Sequence, residues 1–346
     1  MKRILFVLLT LFMAIPAFSQ SALQTAATVN LTKTESITVG QLRTDVERLE
    51  KATGKTLSKS ERLEVLDTMI NERLVIQAAE RDRIMVTENE VNQQIQQLRS
   101  ALAQQIGRQP TETEFSQAVK NESGLDVQAL KEQLRRQLIL QKYLMAKKGD
   151  LINSIKTPTD QEIQNEYVLL RGKLVRPETI RCSMIQISYG SDAAARTKAK
   201  TLADSLVKEI NNDPAKFDEV AQRSVTPNSG YLAGDAGYLP RNAEARNLLG
   251  QTFMDIAFSL KQGQVSKLIE GKDAYQIIKI TENYAEKQLE LTDILQFGTR
   301  VTVRDYIGQG LLSQRQQAVL KQASEEIVKE LRTGKTFQIF ENNINW

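Results

Sequence analysis

Apolar residues recur at helical spacing through most of the first 150 positions. Leu63, Leu66, Ile70, Leu74 and Ala78 stand three and four apart with Glu and Arg between them, the stripe a helix presents to a core. Capping boxes punctuate the pattern: Thr38 with Gln41, Thr87 with Glu90, Thr111 with Glu114 and Thr159 with Glu162, each pairing a hydroxyl with a Glu or Gln three residues on. The first opens a helix through Leu42, Val46 and Leu49. The second carries Val91, Ile95, Leu98 and Leu102 on one face. Leu130, Leu134, Leu138 and Leu140 extend the helical texture to about Lys147. A short strand-like piece, Val29 to Leu31 followed by Ile37, precedes them all.

The texture changes after Thr157-Pro158-Thr159. Beyond a helix reaching about Leu170, residues 179–187 alternate like a strand, with Ile180, Cys182, Met184 and Gln186 on one face. Leu202, Leu206 and Ile210 predict a helix, and Asp213-Pro214 starts another that buries Phe217, Val220 and Ala221. Residues 230–240 hold three Gly and read as a loop. Phe253 to Leu260 reads as a short helix, then Val265–Ile269 and Ala274–Ile280 as strands around a turn at Gly271-Lys272-Asp273. This β-α-α-loop-α-β-β order is an α+β unit. After Tyr284 a helix runs from about Thr302 to Arg332, with Gly334 as its C-cap and Phe337 and Ile339 as a closing strand. A helix that long must bury its stripe on something. The first helical part is the candidate, which makes the α+β unit an insertion.

Composition narrows the chemistry. Lys2 and Arg3, an apolar run from Ile4 to Ile15, Pro16 and then Ala17-Phe18-Ser19 read as a secretory leader cleaved near Ser19/Gln20. No later apolar run is long enough to span a bilayer. The balance of 46 basic to 42 acidic residues gives no basic surplus for nucleic acid. The sequence holds one Cys, Cys182, and no His. That removes internal disulfides, Cys/His metal clusters and both common nucleophile arrangements, Ser-His-Asp and Cys-His. No cofactor is expected.

The inserted unit resembles the parvulin-type (PpiC) peptidyl-prolyl isomerases. The resemblance rests on Arg181-Cys182-Ser183-Met184-Ile185, Phe217-Asp218-Glu219-Val220-Ala221, Gly234-Asp235-Ala236-Gly237-Tyr238, Phe253 to Leu260, Gly263-Gln264-Val265-Ser266 and Ala274 to Ile280. The flanks, Leu66 to Leu74, Val86 to Val91 and Thr159 to Ile163 with Arg176-Pro177-Glu178, are similar to the exported foldases SurA and PrsA. With no Cys at the end of the leader's apolar run to carry a lipid, the SurA-like, periplasmic form is the better match.

This resemblance implies an α+β multidomain protein: a leader at 1–19, a helical chaperone domain at 20–172, a parvulin-like domain at 173–283, and a segment at 284–346 that packs back on the helical domain. It implies partners that are unfolded or proline-containing polypeptides, outer-membrane β-barrel precursors among them. It also implies a site in which the family's first-strand His is Met184, its last-strand His is Gln276, and its loop Cys or Asp is Thr226. Leu249, Phe253 and Ala236 would contact the substrate. Rotation about a prolyl bond makes and breaks no bond, so two readings of the activity stay open beside a third, in which the domain is a docking module within an envelope assembly complex. One is a chaperone whose parvulin-like domain has weak or lost activity. The other is an isomerase that works without the His pair.

Overall fold

The computed structural model describes residues 22–332 and 334–346; the leader expected at 1–19 lies outside them. In chain order the elements are β1 (Thr25–Asn30), β2 (Thr34–Thr38), α1 (Val39–Thr53), α2 (Lys59–Arg81), α3 (Glu88–Ile106), α4 (Glu112–Ser123), α5 (Val127–Asn153) and α6 (Asp160–Leu170). There follow β3 (Val175–Arg176), β4 (Thr179–Ser188), α7 (Ala193–Ile210), α8 (Pro214–Arg223), β5 (Leu232–Pro240), α9 (Ala243–Leu249) and α10 (Gln251–Ser259). The last are β6 (Ile269–Glu270), β7 (Ala274–Tyr284), β8 (Lys287–Gln288), α11 (Val303–Leu331) and β9 (Phe337–Ile339). The chain divides into two compact units, one of residues up to Ile155 together with Arg315–Trp346, the other Lys156–Gln314.

The first unit is helical and is assembled from both ends of the chain. Helices α1, α3 and α4 start where the capping boxes stand, and each box is formed in both directions. Ser58 with Glu61 adds another, unforeseen one at the start of α2. Ile37, Leu42, Leu66, Ile70 and Leu74 form the centre of the core, and Ile327, Leu331 and Ile344 complete it from the far end of the sequence. Strand β9 pairs antiparallel with β1, Ala27 opposite Ile339 and Val29 opposite Phe337. The buried Gln77 accepts from the amides of Leu31 and Thr32 at 3.0 and 3.1 Å, which satisfies the turn between β1 and β2. A smaller core of Ile95, Phe115 and Val119 joins α3 and α4 to Leu130 and Leu134 of α5.

The second unit is built on an antiparallel sheet of order β5-β4-β7-β6. Its central strands are buried on both faces with clean alternation. Ile185, Ile187, Tyr275 and Ile277 face α7 and α8. Ile180, Cys182, Ile278 and Ile280 face α9 and α10, with Met184 packed beside them. A third cluster, Ile163, Tyr167, Leu174, Leu289, Val303 and Ile307, gathers α6, the start of α11 and the β3–β8 pair. The compact unit thus reaches beyond residues 173–283 at both ends, taking in 156–172 and 284–314.

Two readings of local structure are corrected. The glycine-bearing stretch 230–240 is a strand from Leu232, paired along β4 from Gln186–Leu232 to Thr179–Pro240. Its glycines serve a bulge, not a loop: Cys182 lies opposite Gly237 and Ser183 opposite Asp235, so Ala236 is the extra residue, and Gly237 sits at φ 78°. That is the backbone a bulge with a left-handed Gly requires. The strand expected at Val265–Ile269 is confined to Ile269–Glu270, with Val265 making a single bridge to Lys279. Helix α9 is an addition that the periodicity did not signal.

Candidate functional site

The bulge in β5 lies at the mouth of a cavity of about 410 Å³ on the α9–α10 face of the sheet. Cys182 and Met184 of β4 line it, with Ala236 and Tyr238 of β5, Leu248 and Leu249 of α9 and Phe253 of α10. Each wall has a local cause. Asn242 caps α9, its Oδ1 accepting from the Ala245 amide at 2.8 Å. Gly250, at φ 89°, separates α9 from α10, so Leu249 and Phe253 meet across a corner. Phe253 is 1% exposed and serves as both cavity wall and core residue.

Of the six positions singled out in the sequence, Met184, Ala236, Leu249 and Phe253 converge on this cavity. Gln276 and Thr226 do not line it. Gln276 lies opposite Gln186, two pairs along from Met184 and Ile278 and so on the same face, a diagonal separation of about 7–8 Å in a sheet. Its amide oxygen is buried without a hydrogen-bond partner. Thr226 lies exposed in the turn after α8, where its hydroxyl donates to the Arg223 carbonyl at 2.7 Å. Tyr238, Asn242, Glu244 and Leu248 were missed as cavity residues. Leu248 carried a usable signal: it is a large apolar side chain beside Leu249, just before a Gly, and it is 75% exposed.

The walls are mainly apolar, with Asn242 and Glu244 of the α9 start and Tyr238 of β5 as their polar members. Burial pushes the Cys182 thiol up to about 11, so it stays protonated. Apart from Glu244 at the start of α9, the charges lie beside the cavity. Arg181 bridges Asp235 at 2.6 Å and Glu282 at 3.0 Å. Asp235 also accepts from the Gly237 amide at 2.9 Å, which ties the bulge down; Arg181 and this amide hold its carboxyl below the ordinary range. A bond from the Tyr284 hydroxyl, then Arg181, does the same for Glu282. The site can therefore bind and orient an apolar ring, and it holds no His.

The helical unit holds a second hollow, about 510 Å³, between α1, α2 and α5. Leu49, Val65, Met69 and Leu140 form its apolar floor, and Arg48, Glu72 and Arg136 stand at its edge. Among the described residues no helix is long and apolar enough to cross a membrane.

Comparison with known proteins adds to this geometry. Residues 168–284 match the model of the PPIC-type PPIASE domain, and residues 1–144 that of the SurA-like N-terminal domain. The foldase protein PrsA of Clostridium botulinum strain Hall is 23% identical over 314 residues, which cover 88% of this chain and 82% of that one. The chaperone SurA of Pseudomonas syringae is 29% identical over 225 residues, 63% of this chain and 48% of that one. Among solved structures, a SurA-like chaperone of Campylobacter jejuni covers 92% of this chain and 100% of its own at 13% identity, with a TM-score of 0.40.

Proposed function

This chain is SurA- and PrsA-like, a PPIC-type isomerase domain joined to a SurA-like N-terminal domain, and from that premise we propose that it is an exported, periplasmic, ATP-independent chaperone for unfolded polypeptides. Its isomerase domain binds prolyl segments and turns them over weakly or not at all. Outer-membrane β-barrel precursors are the proposed clients, and Met184, Gln276 and Thr226 stand at the family's polar site positions. One observation carries the reading. The cavity around Phe253 is walled mainly by apolar side chains, while the chain has no His anywhere.

The physical argument is direct. Amide resonance sets a barrier of about 18–20 kcal/mol to prolyl rotation, and a site lowers it only by binding the twisted amide better than the planar forms. An apolar slot holds the ring in all of these states, which gives affinity but little discrimination. Preorganised donors at the carbonyl supply the discrimination, and losing one costs about a hundredfold to a thousandfold in other enzymes. Met184 offers only a weak sulfur acceptor. The hollow between α1, α2 and α5 supports client holding, because Met69 in its floor adapts to varied apolar side chains.

The test pairs two measurements on the leaderless chain. NMR exchange on a set of Xaa-Pro peptides is expected to show acceleration at or near background. Aggregation of a denatured β-barrel polypeptide is expected to be suppressed without nucleotide. Failure to suppress aggregation would sink the chaperone reading. Strong acceleration that disappears in Ala236→Trp, which fills the cavity from the exposed bulge, would make the chain an isomerase that works without the His pair.

A further inference from the structure

Beside the Phe253 cavity lies a larger one of about 590 Å³, and the two share a wall, since Tyr238, Pro240 and Asn242 line both. The second cavity is completed by segments before and after the sheet. Lys173 ends the turn that follows α6, Arg176 stands on β3, and Phe297 and Tyr306 come from beyond β8.

Its charge is one-sided. Lys173 and Arg176 line it, and no Asp or Glu does. Arg176 is fixed at its backbone by pairing opposite Lys287 and at its head by lying 4.0 Å over the Phe297 ring. Phe297 in turn stacks on Tyr238 at 4.9 Å and 19°, so an aromatic ladder runs from the cation to the shared wall. Arg176 Nε is buried without a hydrogen-bond partner. The neighbouring carboxylates are committed elsewhere. Asp293 feels Arg176 through space, but it bonds to Lys287 at 2.6 Å and the Glu290 amide at 2.8 Å; Glu178 pairs with Arg241 at 2.7 Å. A guanidinium held in place at the wall of a cavity is a group with which an incoming carboxylate pairs through short, charge-assisted bonds.

We propose that this cavity is a subsite for an acidic side chain. An extended polypeptide whose prolyl ring fills the Phe253 cavity places a flanking Asp or Glu against Arg176 and Lys173. An extended chain advances about 3.3–3.6 Å per residue, so cavities with a common wall are bridged within a few residues. The inference rests on reading the Phe253 cavity as the prolyl site. It makes the chain selective for acidic, proline-containing segments of its clients.

The experiment uses the whole leaderless chain and fluorescent peptides, acetylated and amidated so that no terminal carboxylate competes. Each peptide has one proline, with Glu or its neutral isostere Gln at each flanking position in turn. In low salt the best Glu peptide is expected to bind about tenfold tighter than its Gln partner, the scale of one charge-assisted hydrogen bond. Arg176→Met and Lys173→Met should erase that difference, while Ala236→Trp should weaken both peptides alike. Equal binding of Glu and Gln peptides by the native chain, with Ala236→Trp still weakening both, would overturn the subsite and leave the prolyl reading standing. A Glu preference that survives both cation variants would also overturn it. No effect of Ala236→Trp on either peptide would remove the prolyl reading, and the inference with it.

Discussion

Phe253 shows why a residue's role in the site and its role in the core cannot be varied independently. It walls the cavity and is also among the largest fully buried side chains. Phe253→Ala is expected to destabilise its unit by about 3–5 kcal/mol, the cost of truncating a buried aromatic, read as a lowered urea midpoint. Ala236, exposed at the bulge, is the position at which the cavity can be closed without that cost. Cys182 gives a second prediction at this scale. Its folded thiol titrates near 11 against an ordinary value of 9.0 because burial disfavours the thiolate. The unfolded chain therefore releases that proton first as pH rises. The group's contribution is complete below about 9 and is lost as pH climbs towards 11. Labelling by a thiol reagent at pH 8 should be negligible in the native protein and rapid in denaturant, and equal rates would contradict the burial.

Among the elements, the bulged strand β5 decides the site. Gly237 at φ 78° lets the strand take up one extra residue, Ala236, which lines the cavity. Gly237→Ala should cost about 1–2 kcal/mol, since a Cβ is strained in left-handed backbone, and it should weaken prolyl-peptide binding as well as stability. The helix starts behave differently. Glu61, Glu90 and Glu114 close capping boxes and also bond to Lys55, Lys142 and Arg108, the cation being the largest cause in each case. All three are held near 2 against an ordinary 4.5. Their folded pKa values are depressed, so the stability they lend is present above about 4.5 and is lost as pH falls towards 2. An acid titration followed by circular dichroism should show the helical unit weakening across that window, with Glu90→Gln flattening the slope.

At the scale of the whole molecule, the helical unit closes only when the end of the chain returns. Ile327, Leu331 and Ile344 enter the core of α1 and α2, β9 covers the edge of β1, and Arg43 and Arg62 each lie 4.6 Å from the Trp346 ring. Removing residues 334–346 should expose that core and an unpaired strand edge. Loss of a cooperative unfolding transition and concentration-dependent aggregation are the expected readouts. By contrast Lys156–Gln314 keeps its sheet and all three of its clusters within itself. Expressed alone it should fold cooperatively, whereas a fragment cut at 173–283 would lose α6 and the start of α11 and should be less stable.

The sequence by itself determined what depends on neighbours close along the chain. The capping boxes and 3.6-residue stripes set the helices, because a hydroxyl at N-cap and a Glu at N3 find each other without tertiary help. The even-numbered apolar face of β4 followed from side-chain alternation, and the lack of His fixed what chemistry the cavity can hold. The tertiary structure decided what depends on distant pairing. Gly234 and Gly237 read as loop residues until β4 supplies a partner, since local propensity cannot tell a flexible glycine from one serving a bulge. The register makes Met184 and Gln276 diagonal neighbours on one face of the sheet, which sequence spacing alone could not set. Thr226 was placed with them by motif order, yet its turn spends the hydroxyl on its own backbone. The joining of Tyr238, Phe297 and Arg176 into one wall links positions more than a hundred residues apart, and only the folded sheet brings them together.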